Sequence, residues 1–186
     1  CKRLRPMKII TIERNPGQPI ESWPRVNTFP DSSWLNRNLP LFIPDIEGQW
    51  TATPYAVLRI SRLGKSIAQK FASRYYDAIT IGLRINPPKQ WRESQLSQCF
   101  DSAWVTGQWL STPRIIDSVT INGTTTRVDT STWQLPRSIE ALSRWRTLKN
   151  GDQIAPCIIA DDINIDPQTS IAAAINDTQV LHFNIR

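Results

Sequence analysis

Two short groups stand out among the acidic side chains. "ADDINID" carries Asp161, Asp162 and Asp166, and "IPDIEGQW" sets Asp45 and Glu47 as a D-x-E pair. Carboxylates grouped in this way are raw material for a hard divalent cation, which takes oxygen ligands. The first run lacks the EF-hand pattern and its glycine, so it reads as a solvated loop. The second leads into a strand and is the better ligand pair. His182 is the single histidine, on an alternating strand, and no serine in a sharp turn is signalled to complete a Ser/His/Asp set. The three cysteines, Cys1, Cys99 and Cys157, form no C-x-x-C pair, and with one histidine they build no standard zinc site. Such sparse thiols fit a reducing, cytoplasmic compartment, and Cys99 and Cys157 read as inert rather than nucleophilic. A lipidated Cys1 is a minor alternative.

Strands dominate the elements that must position these groups. "MKIITIER" is β-branched and alternating, a first strand. Prolines 16, 19, 24, 30 and 40 break the next stretch into loop, anchored by Trp23 and Trp34. "LFIPD", "YAVLRISRL" and "AITIGLRI" are further strands. Between the last two, Ile67, Ala68, Phe71, Ala72, Tyr75 and Ile79 recur at helical spacing, with Ser66 as a cap, and predict a helix over 65–79. "WRESQLSQCF" reads as a short helix or loop. "DSVTINGTTTRVDT" is a hairpin turning at Asn122-Gly123. A second helix is expected over 135–146, and then a strand following "TLKNGDQI". The closing "TQVLHFNIR" puts Leu181, Phe183 and Ile185 inward, with His182 and Asn184 outward. The fold class is α+β, strand-dominated, with about two helices.

Composition narrows the function classes. Apolar residues make up 40% and charged residues 20% of the 186 residues, which is globular rather than disordered. A single domain over 7–186 with a short tail at 1–6 is expected. No apolar run reaches the roughly 18 residues a spanning helix needs, so no membrane partner is expected. A net charge of +6 permits nucleic acid, and eight tryptophans interleaved with arginine have faces for bases. In sequence the charge is scattered, with tight clusters only at Lys2/Arg3/Arg5 and Arg144/Arg146/Lys149. Nucleic acid is therefore the disfavoured partner.

Five pieces in order carry a resemblance: "RISRLGKSIAQKFASRYYDAITIGLRI", "FDSAWVTGQWL", "VTINGTTTRVDTS", "LKNGDQI" and "INDTQVLHFNIR". Together they resemble the fumarylacetoacetate hydrolase superfamily, over nearly the whole chain from Met7. The resemblance implies a mixed β-sheet roll, commonly a homodimer. It also implies Mg²⁺ or Mn²⁺ held by an E-x-E and an aspartate, where the metal stabilises the enolate leaving a 1,3-dicarbonyl acid. In this chain the E-x-E positions fall on Thr53 and Tyr55, and the aspartate on Lys89. Neutral hydroxyls are poor ligands for such an ion, and an ammonium repels it by about 4 kcal/mol per unit-charge pair at close range in a partly screened site.

Other positions implied by the resemblance also differ. Arg14-Asn15 match, but Pro16 stands where a tyrosine is expected. Phe29 and Gln98 occupy lysine positions, and "APCII", with Pro156, Cys157 and Ile158, replaces a Thr/Gly-rich loop. Gly64, Asp101, Asn122-Gly123 and Gly151-Asp152 remain. The implied pocket gathers Arg14, Asn15, Phe29, Lys89, Gln98, Asp101, Arg127 and Cys157, with Trp91 or Trp104 placed to plug it. The expectation is a non-catalytic relative with a binding or regulatory role and no cofactor. The alternative is an Mg/Mn-dependent hydrolase, decarboxylase or isomerase of acylpyruvate-like acids that uses Asp45 and Glu47. A third reading is a small-anion site in which Lys89, Arg59 and Arg84 replace the metal.

Overall fold

The structure is a computed structural model, and it describes residues 8–21, 24–36, 39–112 and 114–186. Cys1, the cluster at Lys2/Arg3/Arg5, Met7 and Trp23 lie outside the described residues. In chain order the strands are β1 (Ile9–Ile12), β2 (Val26–Phe29), β3 (Trp34–Asn36), β4 (Trp50–Ile60), β5 (Tyr76–Asn86), β6 (Trp104–Thr106), β7 (Leu110–Ser111), β8 (Ser118–Ile121) and β9 (Thr124–Arg127). Helix α1 (Leu135–Trp145) follows, and then β10 (Gln153–Ile158), β11 (Ile163–Ile165), β12 (Ser170–Ile175) and β13 (Thr178–Asn184).

The larger sheet runs β2-β1-β10-β4-β5-β6-β3, with β11 extending the β10 edge of β4 and β7 pairing with β5. It is mixed: β1 pairs with β10 and β3 with β6 in parallel, and the other pairs are antiparallel. Strands β4 and β5 are buried along nearly all of their length because the sheet is covered on both faces there. The second sheet is β13-β12-β8-β9. One apolar cluster joins Leu58, Ile81 and Ile154 of the first sheet to Ile121, Ile171 and Phe183 of the second, and each such side chain contributes about 1.5–3 kcal/mol when fully buried. The sheets approach closely at Gly107, just after β6, where a Cβ would stand 2.6 Å from the Val180 carbonyl oxygen.

Local sequence explains several turns. Asn122 and Gly123 both adopt positive φ, +46° and +82°, as a tight two-residue hairpin requires. β13 alternates as expected, with Leu181, Phe183 and Ile185 buried and His182 exposed. Helix α1 turns Ile139 and Leu142 inward. Asp152 is wholly buried, where it pairs with Lys8 at 2.5 Å and accepts the Lys149 amide at 2.7 Å.

Three expectations are corrected. "LFIPD" forms no strand: Leu41 makes an isolated bridge to Ile185 and the chain then turns at Pro44. The proline-rich stretch after β1 is not all loop, because β2 pairs with β1 and β3 with β6 between the prolines. The segment 65–79 forms a 3₁₀ helix only over Gln69–Arg74, and β5 already begins at Tyr76. Tertiary bonding overrides the helical period here. The amide of Ser66 donates to the Ser143 carbonyl at 2.8 Å, and that of Ile67 to the Ser143 hydroxyl at 2.9 Å. Ser66 itself takes φ +53° and caps nothing.

Candidate functional site

Strand β4 places Thr51, Thr53 and Tyr55 on one face, because alternate residues share a face. Across the ladder, Asn86 lies opposite Thr51, Arg84 opposite Thr53 and Gly82 opposite Tyr55. Gly82 leaves room for the Trp104 indole, since a Cβ there would stand 2.7 Å from its ring. Thr53, Tyr55, Arg84 and Asn86 form the floor of a cleft of about 450 Å³, walled by Glu13, Arg14, Asn15, Gln18, Arg92, Ile158 and Asp162.

The cleft contains two closed ion-pair networks. In the first, Arg84 Nη1 donates to Glu13 Oε1 at 2.8 Å, and the same oxygen accepts Asn27 Nδ2 at 2.6 Å. Asn27 Oδ1 in turn accepts Gln98 Nε2 at 2.7 Å. Burial would push the Glu13 carboxyl up, but the bonds from Asn27 and Arg84 outweigh it and hold the group below its usual range. In the second network, Asp162 accepts Thr53 Oγ1 at 2.5 Å and Thr51 Oγ1 at 3.3 Å, with Arg92 Nη1 at 3.8 Å. Asn86 Nδ2 donates to both threonine hydroxyls, and Arg92 Nη2 donates to Thr51 at 2.9 Å.

Two further groups define the chemistry. Tyr55 is 1% exposed and packs on Trp104, and burial pushes its phenol up to about 12, so it stays a neutral hydroxyl at physiological pH. Arg14 donates to the carbonyls of Asn15, Gln18, Thr132 and Trp133, so its guanidinium clamps backbone. Burial also lowers its pKa.

The sequence-predicted residues divide accordingly. Arg14, Asn15, Thr53 and Tyr55 line the cleft. Gln98 reaches it through Asn27, and the buried Phe29 ring lies 5.9 Å beneath the Arg84 guanidinium. Lys89 does not line it. Pro87-Pro88 carry the chain out of the sheet after β5, and Lys89 is exposed in the 3₁₀ turn Lys89–Trp91. The cation facing Thr53 is Arg84. Asp101 is exposed in a turn, and Arg127 is exposed on β9 of the other sheet. Cys157 lies within β10, the strand expected after "TLKNGDQI". It is buried, its thiol pushed up to about 12 by that burial. Trp104 is core, below the floor, and Trp91 is 51% exposed. Arg59 is held by Asp77 through two bonds of 2.9 and 3.0 Å. Asp45 and Glu47 are exposed before β4 and do not line the cleft.

Sequence reasoning missed Glu13, Asn86, Arg92 and the inward role of Asp162. The available signal for Asn86 was a polar residue ending the apolar run "AITIGLRIN".

The donor set does not fit a divalent cation. Mg²⁺ and Mn²⁺ want several oxygens, carboxylates among them, whereas the floor offers neutral hydroxyls beside a guanidinium, and both wall carboxylates are already bound to arginines. Among the described residues, no three His, Cys, Asp or Glu side chains gather as a metal group.

No family model matches the chain, and no curated protein matches it. Solved structures do match. The 5-carboxymethyl-2-hydroxymuconate delta-isomerase of Mycobacterium smegmatis is 19% identical with a TM-score of 0.84, over 98% of this chain and 79% of that one. Fumarylpyruvate hydrolase from Pseudomonas aeruginosa, in complex with Mn²⁺ and pyruvate, is 16% identical with a TM-score of 0.79, over 97% and 89%. A fumarylacetoacetate hydrolase family protein from Yersinia pestis CO92 is 17% identical with a TM-score of 0.78, over 97% and 93%. At these identities the likeness establishes the fold: the strand-dominated roll of fumarylacetoacetate hydrolase family proteins.

Proposed function

We propose that this chain, a protein of the fumarylacetoacetate hydrolase fold, is a non-catalytic member that acts by binding, as a cytoplasmic homodimer in a regulatory role. One observation carries the reading: the Arg84 guanidinium lies across from Thr53 at the cleft floor, locked to Glu13. A positive charge already sits where an electron sink would need a cation held by carboxylates. The free thiols Cys99 and Cys157 fit a reducing compartment, and no helix among the described residues is long and apolar enough to cross a membrane. The ligand of the cleft is a small anion. Arg84 Nε is buried without a hydrogen-bond partner, and a planar carboxylate is the group a guanidinium edge pairs with.

The test is thermal unfolding of metal-stripped protein with Mn²⁺, with oxalate, and with both, alongside an assay for acylpyruvate cleavage. A native-state ligand at 100 times its Kd adds about 2.7 kcal/mol to stability. The expected result is a shift with oxalate alone, abolished in Arg84→Gln, with no dependence on Mn²⁺ and no cleavage. A Mn²⁺-dependent shift or turnover would overturn the reading. It would favour instead the metal-dependent hydrolase, decarboxylase or isomerase suggested by the enzymes of like fold.

A further inference from the structure

Seven of the basic residues that are separated in sequence come together in space. Residues 62–74 run antiparallel alongside residues 140–149. Gly64 and Leu148 exchange backbone bonds at 2.9 and 2.8 Å, Lys65 Nζ reaches the Trp145 carbonyl at 3.5 Å, and Ser66 and Ile67 bond to Ser143. This strip carries Arg62, Lys65, Lys70, Arg74, Arg144, Arg146 and Lys149 against the single carboxylate of Glu140. Its surplus of six positive charges equals the net charge of the whole chain, +6. Glu140 is already held by Arg137, with Arg144 at 3.6 Å.

Large apolar side chains stand exposed within the same strip: Leu63 (69%), Phe71 (41%) and Trp145 (56%). Each is flanked by cations. Arg62 and Lys65 border Leu63, and Arg144 and Arg146 border Trp145. Lys70 Nζ and Arg74 Cζ each lie 5.0 Å from the centroid of the Phe71 ring. A bilayer or an apolar protein partner would need these side chains to form one contiguous face, and here the cations interrupt it. Rings alternating with cations match a polyanion whose own groups alternate between phosphates and flat π-faces.

We propose that this strip is a binding surface for single-stranded nucleic acid, with the cations tracking the backbone phosphates and Phe71 and Trp145 stacking on bases. It does not rest on the reading of the cleft, which lies roughly 25 Å away along β4 at about 3.3 Å per residue.

The test is fluorescence anisotropy of a labelled 20-nucleotide oligouridylate with the full chain, titrated across NaCl concentrations. Four or more phosphate contacts give a slope of log K against log salt of about −3 or steeper, at roughly −0.7 per contact. Lys65→Glu and Lys70→Glu should each flatten that slope. Phe71→Leu and Trp145→Leu, which leave the charge unchanged, should each weaken binding by about fivefold or more with the slope preserved. Arg114→Glu and Arg186→Glu, at exposed cations outside the strip, serve as controls. Circular dichroism identifies any variant that fails to fold, and the remaining ring and charge variants then carry the decision. The proposal is overturned if the leucine variants bind like the parent or the control reversals weaken binding as much. It is also overturned if polyglutamate or phosphatidylserine vesicles bind as tightly at equal charge concentration, which would assign the strip to an acidic protein or a membrane.

Discussion

The two ends of strand β4 treat positive charge in opposite ways. At the Thr51–Tyr55 end, two guanidinium groups each have a carboxylate partner: Arg84 with Glu13, and Arg92 with Asp162. Beyond Ile60, cations outnumber acids and face water. The first end behaves like a core, where polar groups are satisfied as they are buried, with Arg84 Nε the exception that an anion would fill. The second behaves like a recognition surface, where unneutralised charge is kept at a cost in self-repulsion because a partner will neutralise it. Scaffold alone does not require that asymmetry.

The largest effect that sharpens the contrast is a truncation at the cleft floor. Tyr55→Ala removes a ring that is 1% exposed and packed on Trp104. It should cost about 3–5 kcal/mol, measured by urea unfolding. The matching truncation on the strip, Trp145→Ala, removes a side chain 56% exposed and should cost well under half as much. Equal costs would mean that the strip is structural packing rather than a surface.

Alkaline unfolding is the next largest effect. Tyr55 and Cys157 are both pushed up to about 12, from ordinary values near 10 and 9. A raised folded-state pKa contributes stability that is complete below the unfolded value and lost as pH rises toward the folded one. Stability should therefore fall between about pH 9 and 12. Tyr55→Phe should remove the part that begins near 10, which for a shift of two units is about 2–3 kcal/mol. A Tyr55→Phe profile identical to the parent's would show that the phenol is not held neutral by the fold.

Arg84→Gln comes third. It leaves Glu13 with the Asn27 bond and the charge of Arg25 and should cost about 1–2 kcal/mol at pH 7, discounted because the Glu13 side chain is 39% exposed. The sign on the acid side follows from the lowered Glu13 pKa: its stabilisation is present above the ordinary carboxylate value and is lost as pH falls through the folded one. The cost of Arg84→Gln should therefore shrink below about pH 4, and guanidinium unfolding at pH 3.5 and 7 checks this.

Legibility of the sequence followed the same divide. Periodicity and turn chemistry are local, so the Asn122-Gly123 hairpin, the alternation of β13 and the helix over 135–145 could all be read from a few residues. The helix expected at 65–79 failed because Ser66, pinned to Ser143 of α1, takes φ +53° and Ala68 is extended, while Tyr76 is already drawn into pairing with Ile60 of β4. In the cleft, Thr53 and Tyr55 were readable as altered positions, but the cation opposite them was not. Whether Arg84 or Lys89 faces Thr53 depends on the β4–β5 register and on where Pro87-Pro88 end the strand, and neither is encoded in residue spacing alone. Asp162 is a similar case, because it looks solvated until β11 pairs with β4 and brings it against the two threonines.

The smallest effect has an unusual sign. Charge reversal at Lys70 breaks no ion pair among the described residues and relieves repulsion among seven neighbouring cations, so it should leave the unfolding midpoint within about 2 °C of the parent and displaced upward at low salt. The same reversal at Arg84 should lower the midpoint, because there the cation has a partner to lose. Raising the ionic strength should erase the first difference, since exposed charges are screened, and preserve most of the second, since the Arg84–Glu13 pair is partly shielded from solvent. A midpoint that falls on reversal at Lys70 would mean that the strip's charges are paired within the molecule, leaving no surplus to attract an anionic strand.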